Sequence, residues 1–385
     1  MFNRIFLVVL DGLGIGATDD AAFYGDKGSN TLLHTINDNY NLDVLELLGL
    51  TKLVGKEVKN TRGIYTRIIP QGNYKDSLNL HYEMMCAINK HKYNTYPDGL
   101  PLELVSKIQS SIGIDVIGNE SSESSSIINK LGQMHMKTGC PIIYTSCDSS
   151  ILVAAHEDVI STEDLYAICE RIFKIVNTDE YQISRVIAVP FNGKEGSYTF
   201  TGKRKDFTNN PPINALDYLD KAHIQTICIG KVPDLFNEKS VAVKIKTKDN
   251  IDGMFKLIDF AKGNFKGLLF ANLSDFDSLY GHKRDKSGFL KSLEEFNYYL
   301  PIFLKNLKKS DLLLITSDHG CDPTFKGNDH TREMVPLLMY CPLFKKGKRI
   351  DDRKSLADIG ATILDNFNIK NTLGVGRSIF EDLRH

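Results

Sequence analysis

The chain has 385 residues, 42% hydrophobic and 25% charged, which is the balance of a soluble globular protein with room for two domains. A formal net charge of −1 argues against a nucleic-acid binder. Seven cysteines are scattered without CxxC pairs, which points to reduced thiols and a cytoplasmic location.

In chain order, RIFLVVL at 4–10 reads as a fully buried strand. It is too short for a membrane span and lacks a signal-peptide cleavage pattern, so no membrane association is expected. Asp11 follows, then GLGIG, which is not the GxGxxG of a dinucleotide site. Asp11 therefore reads either as a metal ligand at a strand end or as an N-cap for a following helix. Residues 43–50 read as a helix and 64–69 as a strand. Ser77 opens a further helix, where backbone N–H groups and the macrodipole favour an anion. Capping by Asp76 or Ser77 is the alternative.

Residues 93–212 differ in character and are expected to form an inserted α/β cap domain between turn-rich boundaries, NTYPDGLP and NNPP. Inside lie a helix at 102–110, a serine-rich run at 120–126, a strand at 141–146, a helix at 162–176 and a strand at 185–189. Residues 1–92 and 213–385 are expected to form the core domain. Its second segment carries strands at 223–230 and 267–273, helices at 252–261, 286–308 and 355–367, and strands at Leu312–Ile315 and Pro336–Tyr340. Strands alternating with helices imply an α/β fold, a mostly parallel sheet covered by helices on both faces.

Four polar clusters follow a strand or open a helix: Asp11; Ser77; Asp277 with His282; and Asp318-His319 with His330. In a doubly wound sheet the carboxyl ends of the strands share one edge, so these clusters can converge. Asp oxygens with His nitrogens suit a divalent transition ion such as Mn²⁺ or Zn²⁺, and the set is large enough for two ions around one hydroxyl. A polar loop with no metal is the plainer reading of any single cluster.

RIFLVVLDGLGIG, NLSDFDSLYGHKRD, ITSDHGCDPTFKGNDHTRE and LADIGATILDNF resemble the core motifs of the phosphopentomutase family, within the alkaline phosphatase-like metalloenzymes. HMKTGCPIIYTSCDS and AAHEDVIS resemble its cap. The resemblance implies two divalent ions, most often Mn²⁺. One would be held by Asp11, Asp318, His319 and the nucleophile oxygen, the other by Asp277, His282 and His330. The family's GKDT reads YKDS here, which places Ser77 as nucleophile. The implied reaction moves phosphate between the 1 and 5 positions of ribose or deoxyribose through a phosphoserine. A sugar phosphate would be substrate, a sugar bisphosphate activator, and the role nucleotide salvage. Ser146, Asp148, Arg204 and Lys231 remain from the family's substrate-binding set.

Departures gather in the cap. GNESSESSSI at 118–127 replaces a lysine-bearing segment, Val189 and Phe200 stand where the family has arginines, and Lys205 stands for a histidine. A lost charge-assisted phosphate contact costs about 1.5–3 kcal/mol, unless Lys203 and Lys205 compensate. A phosphatase or phosphodiesterase using the same core, a mutase for another sugar, and a non-catalytic relative are the competing readings.

Overall fold

A computed structural model describes residues 1–88, 93–146, 149–178 and 180–383. They form two compact units, Met1–Lys90 with Pro211–His385, and His91–Asn210.

The first unit is built on an eight-stranded sheet. Its strands are β1 (Arg4–Leu10), β2 (Ile64–Ile68), β9 (Gln225–Ile229), β10 (Val243–Ile245), β11 (Gly267–Leu273), β12 (Asp311–Thr316), β13 (Val335–Tyr340) and β14 (Lys348–Arg349). The order is β10-β9-β11-β1-β12-β13-β2-β14. β13 alone runs antiparallel to its neighbours. β1, β11 and β12 are buried along their whole length, because a parallel sheet covered on both faces leaves no solvent side. Ile5, Leu7 and Val9 of β1 point into one apolar cluster, and Phe6, Val8 and Leu10 into the other. The expected α/β class is therefore what the chain adopts.

Register decides where the chemistry lies. Val9 of β1 pairs with Thr316 of β12, and Leu10 pairs with Leu273 of β11. Ala271 of β11 pairs with Ile229 of β9. Four neighbouring parallel strands thus end level, and the residues that follow them meet at one edge.

The second unit has its own mixed sheet, β3 (Ile117–Ser121), β4 (Ile142–Thr145), β5 (Ser150–His156), β6 (Arg185–Asn192), β7 (Thr199–Phe200) and β8 (Lys205–Thr208). The serine-rich run is ordered, as the end of β3 and the first turn of a helix, Ser124–Thr138. Neither that helix nor β5 is anticipated from the sequence. Ile127, Ile128 and Leu131 supply the apolar face of the helix, and the serines hide its start. No helix among the described residues is long and apolar enough to cross a membrane. Six described cysteines are unpaired.

Candidate metal centre

Most side chains of the site sit just past a strand end; Ser77 opens a helix, and His330 lies in the loop between β12 and β13. Asp11 follows β1. Ser317, Asp318 and His319 follow β12. A single π-helical turn, Phe276–Gly281, follows β11 and delivers Asp277 and then His282. Such turns re-aim side chains and gather at functional sites. Lys231 follows β9. Ser77 is the first residue of the helix Ser77–Met84, and Asp76 caps that helix by accepting from Asn79 N at 3.0 Å. The cap belongs to Asp76, so the Ser77 hydroxyl is left for other work. No helix starts at Asp11, which is followed by a turn, so its N-cap reading is set aside.

The residues fall into two abutting groups. In the first, His319 Nε2 lies 3.5 Å from Asp11 Oδ1, 3.3 Å from Asp318 Oδ2 and 2.9 Å from Ser77 Oγ. Lys231 Nζ donates to Ser77 Oγ at 2.8 Å and ion-pairs with Asp11 Oδ2. In the second, His282 Nε2 and His330 Nε2 lie 3.2 and 3.5 Å from Asp277 Oδ2, and 3.2 Å from each other. His319 stacks on His330 with ring centroids 3.7 Å apart, so it belongs to both groups. Donor atoms of Asp11, Asp318 and His319 lie within 4.8 Å of one another, as do those of Asp277, His319 and His330. All six expected ligands and Ser77 are thus brought to one place.

Two features show that this cluster fits divalent cations. First, both Asp11 oxygens, Asp277 Oδ1 and Asp318 Oδ2 are buried without a hydrogen bond. A buried polar atom left unsatisfied is costly and wants a partner. Lys231 ion-pairs with Asp11 Oδ2 and supplies part of the positive charge these carboxylates want. Second, each imidazole is oriented the same way. The Nδ1 of His282, His330 and His319 contacts a backbone carbonyl, of Asn328 (2.5 Å), Lys75 (2.8 Å) and Gly320 (3.1 Å). A ring that donates from Nδ1 carries its lone pair on Nε2, turned into the site, which is how metal-binding histidines are held. Two such lone pairs 3.2 Å apart, on His282 and His330, repel unless a cation or proton lies between them.

The electrostatics agree. Burial, with Asp318 close by, pushes Asp11 well above the usual carboxylate range. Burial also acts to raise Asp277 and Asp318, but His282 with His330, and His319 with Lys231, hold them below it. Burial drives His319 down to about 3. His330 is raised to about 9, because Asp277 outweighs burial. Three carboxylates thus crowd a space in which they cannot all ionise without positive charge.

The surroundings lock this arrangement. Leu13 N donates to Ser317 Oγ at 2.8 Å and Gly12 N to Asp318 Oδ1 at 3.2 Å. Glu333 accepts from Gly16 N, Thr31 N and the hydroxyls of Thr31 and Thr331, tying the Asp11 turn to the His330 loop. Glu83 accepts from Gln71 N and Gly72 N at 2.9 Å each, which anchors the loop ahead of Ser77. Neither glutamate is singled out by spacing. Each stands among motif residues, and only the fold shows what it holds.

A model of the metalloenzyme superfamily matches residues 3–371. The chain belongs to that superfamily. Divalent metal ions come with membership, and the two groups above are where this metalloenzyme can hold them. Solved structures similar to it include the protein PH0037 from Pyrococcus horikoshii (14% identity, 97% of this chain and 99% of that one, TM-score 0.49). A phosphoglycerate mutase from Leishmania mexicana is similar at 11% identity, over 98% of each chain, with a TM-score of 0.49. An alkaline phosphatase superfamily protein from Vibrio parahaemolyticus is similar at 12% identity, over 98% of this chain and 70% of that one, with a TM-score of 0.38.

The expected substrate-binding residues are placed differently from one another. Lys231 is at Ser77. Ser146 follows β4 in the second unit, and Asp148 lies outside the described residues. Arg204 is exposed and pairs with Asp206, Nε to Oδ1 at 3.1 Å. Lys203 pairs with Glu157 at 3.2 Å, and Lys205 lies over the rings of Tyr166 and Phe207. Val189 is buried in β6 and Phe200 exposed on β7.

Proposed function

We propose that this metalloenzyme is a phosphopentomutase-type phosphoryl transferase with Ser77 as nucleophile. The observation that carries the reading is the position of Ser77 Oγ, 2.9 Å from His319 Nε2 and 2.8 Å from Lys231 Nζ, at a helix N-terminus beside unsatisfied carboxylates. Asp11, Asp318 and His319 with Ser77 Oγ would hold one cation, and Asp277, His282 and His330 the other. Bound divalent ions, Mn²⁺ in this reading, would ease deprotonation of the hydroxyl and offset phosphoryl charge.

The chain's own groups do the rest. Lys231 donates to Ser77 Oγ and stabilises negative charge as the hydroxyl loses its proton. Oγ attacks phosphorus, a P–Oγ bond forms, and the bond from phosphorus to the sugar oxygen breaks. The first backbone N–H groups of the Ser77 helix face the phosphoryl group on Oγ. The reverse step returns phosphate to another hydroxyl of the same sugar, and a sugar bisphosphate is the species exchanged.

A metal-dependent phosphatase is the second reading, and one observation favours it. Two cations expected to hold or help hold substrate phosphate are engaged within their own unit: Arg204 reaches Asp206, and Lys203 reaches Glu157. A site that releases its sugar passes the phosphate to water.

Metal-loaded protein assayed on ribose 1-phosphate and deoxyribose 1-phosphate with a bisphosphate activator decides between them. Isomerisation is expected, and phosphate release without isomerisation selects the phosphatase. Ser77→Ala should lower either activity by about 10⁴-fold or more, as loss of a covalent nucleophile does, with folding intact by circular dichroism. A variant that keeps most of its activity removes Ser77 from the mechanism.

A further inference from the structure

The group around Asp277 contains a donor that neither the spacing nor the resemblance assigns. Cys321 is fully buried just past His319, and its Sγ lies within 4.8 Å of donor atoms of both Asp277 and His282. We propose that Cys321 is a further ligand of the cation held by Asp277, His282 and His330, and that its sulfur makes this site selective for a borderline-soft ion such as Zn²⁺ or Co²⁺ over Mn²⁺.

Three observations carry this. Asp277 Oδ1 is buried without a hydrogen bond, on a residue only 6% exposed. Its other oxygen already faces the two histidines, so Oδ1 is the free arm of that carboxylate. Two glycines keep the space beside it clear. A Cβ on Gly281 would stand 2.7 Å from Cys321 Sγ and 3.3 Å from Asp277 Oδ1. A Cβ on Gly12 would stand 3.0 Å from the Cys321 Cβ and 3.4 Å from the same oxygen. Sulfur and unsatisfied oxygen therefore border one small gap that any side chain would fill.

The third is Arg284. Its Nη1 donates to Cys321 Sγ at 3.5 Å, while its Nε and Nη2 donate to Gly327 O and Asp329 O at 2.6 and 2.7 Å. The guanidinium is fixed by backbone and keeps one N–H on the sulfur, which holds Cys321 in place beside Asp277. On binding, the S–H bond breaks as the sulfur–metal bond forms, and the proton leaves to solvent. Thiolate prefers Zn²⁺ and Co²⁺, whereas an oxygen-rich set such as Asp11, Asp318 and Ser77 is the better home for Mn²⁺.

This inference rests on the reading that Asp277, His282 and His330 hold a cation. Its test is optical, on the full chain freed of metal and titrated with Co²⁺. A near-ultraviolet thiolate-to-cobalt charge-transfer band is expected in the wild type and is expected to vanish in Cys321→Ser. In that variant Zn²⁺ should bind about 10–100-fold more weakly, the order seen when the support of a metal site is disturbed, with Mn²⁺ affinity unchanged. Two bound equivalents of Co²⁺ without the band in the wild type overturn this inference alone. A wild-type chain that binds no cobalt overturns both it and the reading beneath it. The wild-type measurement stands even if the serine variant folds poorly, and Cys321→Ala provides a second check.

Discussion

The two edges of the core sheet treat buried charge in opposite ways. At the amino-terminal edge Arg4 and Asp311, from neighbouring strands, are both inaccessible to water. Arg4 Nε and Nη2 reach the two Asp311 oxygens at 2.8 and 2.5 Å, and its remaining donors reach the carbonyls of Phe260, Ala261 and Gly263. At the carboxyl edge of the same strands four carboxylate oxygens make no hydrogen bond. The first edge is finished by the protein itself. The second is complete only with something added, and that difference marks the functional edge without appeal to any motif.

Breaking the finished edge should have the largest effect on stability. Arg4→Ala leaves Asp311 charged and buried, and should cost about 3–5 kcal/mol in chemical denaturation. Because Arg4 lies at the opposite end of the strands, metal affinity of the folded fraction should not change. A loss of metal binding in proportion to the loss of stability would mean that the two edges are not independent.

A weaker perturbation probes the frame behind the metal groups. Burial pushes Glu333 up to about 7, above its ordinary 4.5, although four donors act to lower it. A carboxyl raised on folding contributes stability that is full below its unfolded value and is lost as pH rises through the folded one. The protein should therefore lose up to about 3 kcal/mol between pH ~5 and pH ~8. Glu333→Gln should flatten that slope. Its amide can accept from the backbone N–H groups of Gly16 and Thr31 and donate to the two threonine hydroxyls. A slope unchanged in the variant would assign the pH dependence to other groups.

Much of the functional edge is legible in the sequence for a physical reason. Strands buried on both faces read as unbroken apolar runs, so RIFLVVL, GLLFANL and DLLLIT announce themselves, and a polar residue just past each run stands out. What sequence does not carry is strand order and register. Nothing in Gly267–Leu273 says that it lies beside β1, yet this pairing brings Asp277 to Asp11. Cys321 is hidden because one cysteine has no spacing signature. Lys231 is named by the resemblance alone, as a substrate-binding residue, because it follows an ordinary strand; only the neighbouring ends of β9 and β11 bring it to Ser77. The inserted unit is harder still. Its helix Ser124–Thr138 begins in serines that read as low complexity, and its arginines form pairs whose partners are set by a sheet.

The sharpest form of the comparison is a change of sign. Asp11 is wholly buried, both its oxygens lack hydrogen bonds, and burial with Asp318 holds its carboxyl well above the ordinary range. Its charge therefore opposes folding at neutral pH in the absence of cations. Asp11→Asn removes that charge and keeps the shape. Metal-free Asp11→Asn should be more stable than metal-free wild type, by about 1–3 kcal/mol, the cost of one unsatisfied buried group. With Mn²⁺ present the order should invert. The wild type gains stability with the logarithm of free metal above its dissociation constant, and the variant gains less. Thermal unfolding of both proteins with and without Mn²⁺ reads all four values. An Asp11→Asn protein that is less stable than wild type without metal would mean that the Lys231 pair already satisfies this carboxylate, and the contrast between the two edges would then fail.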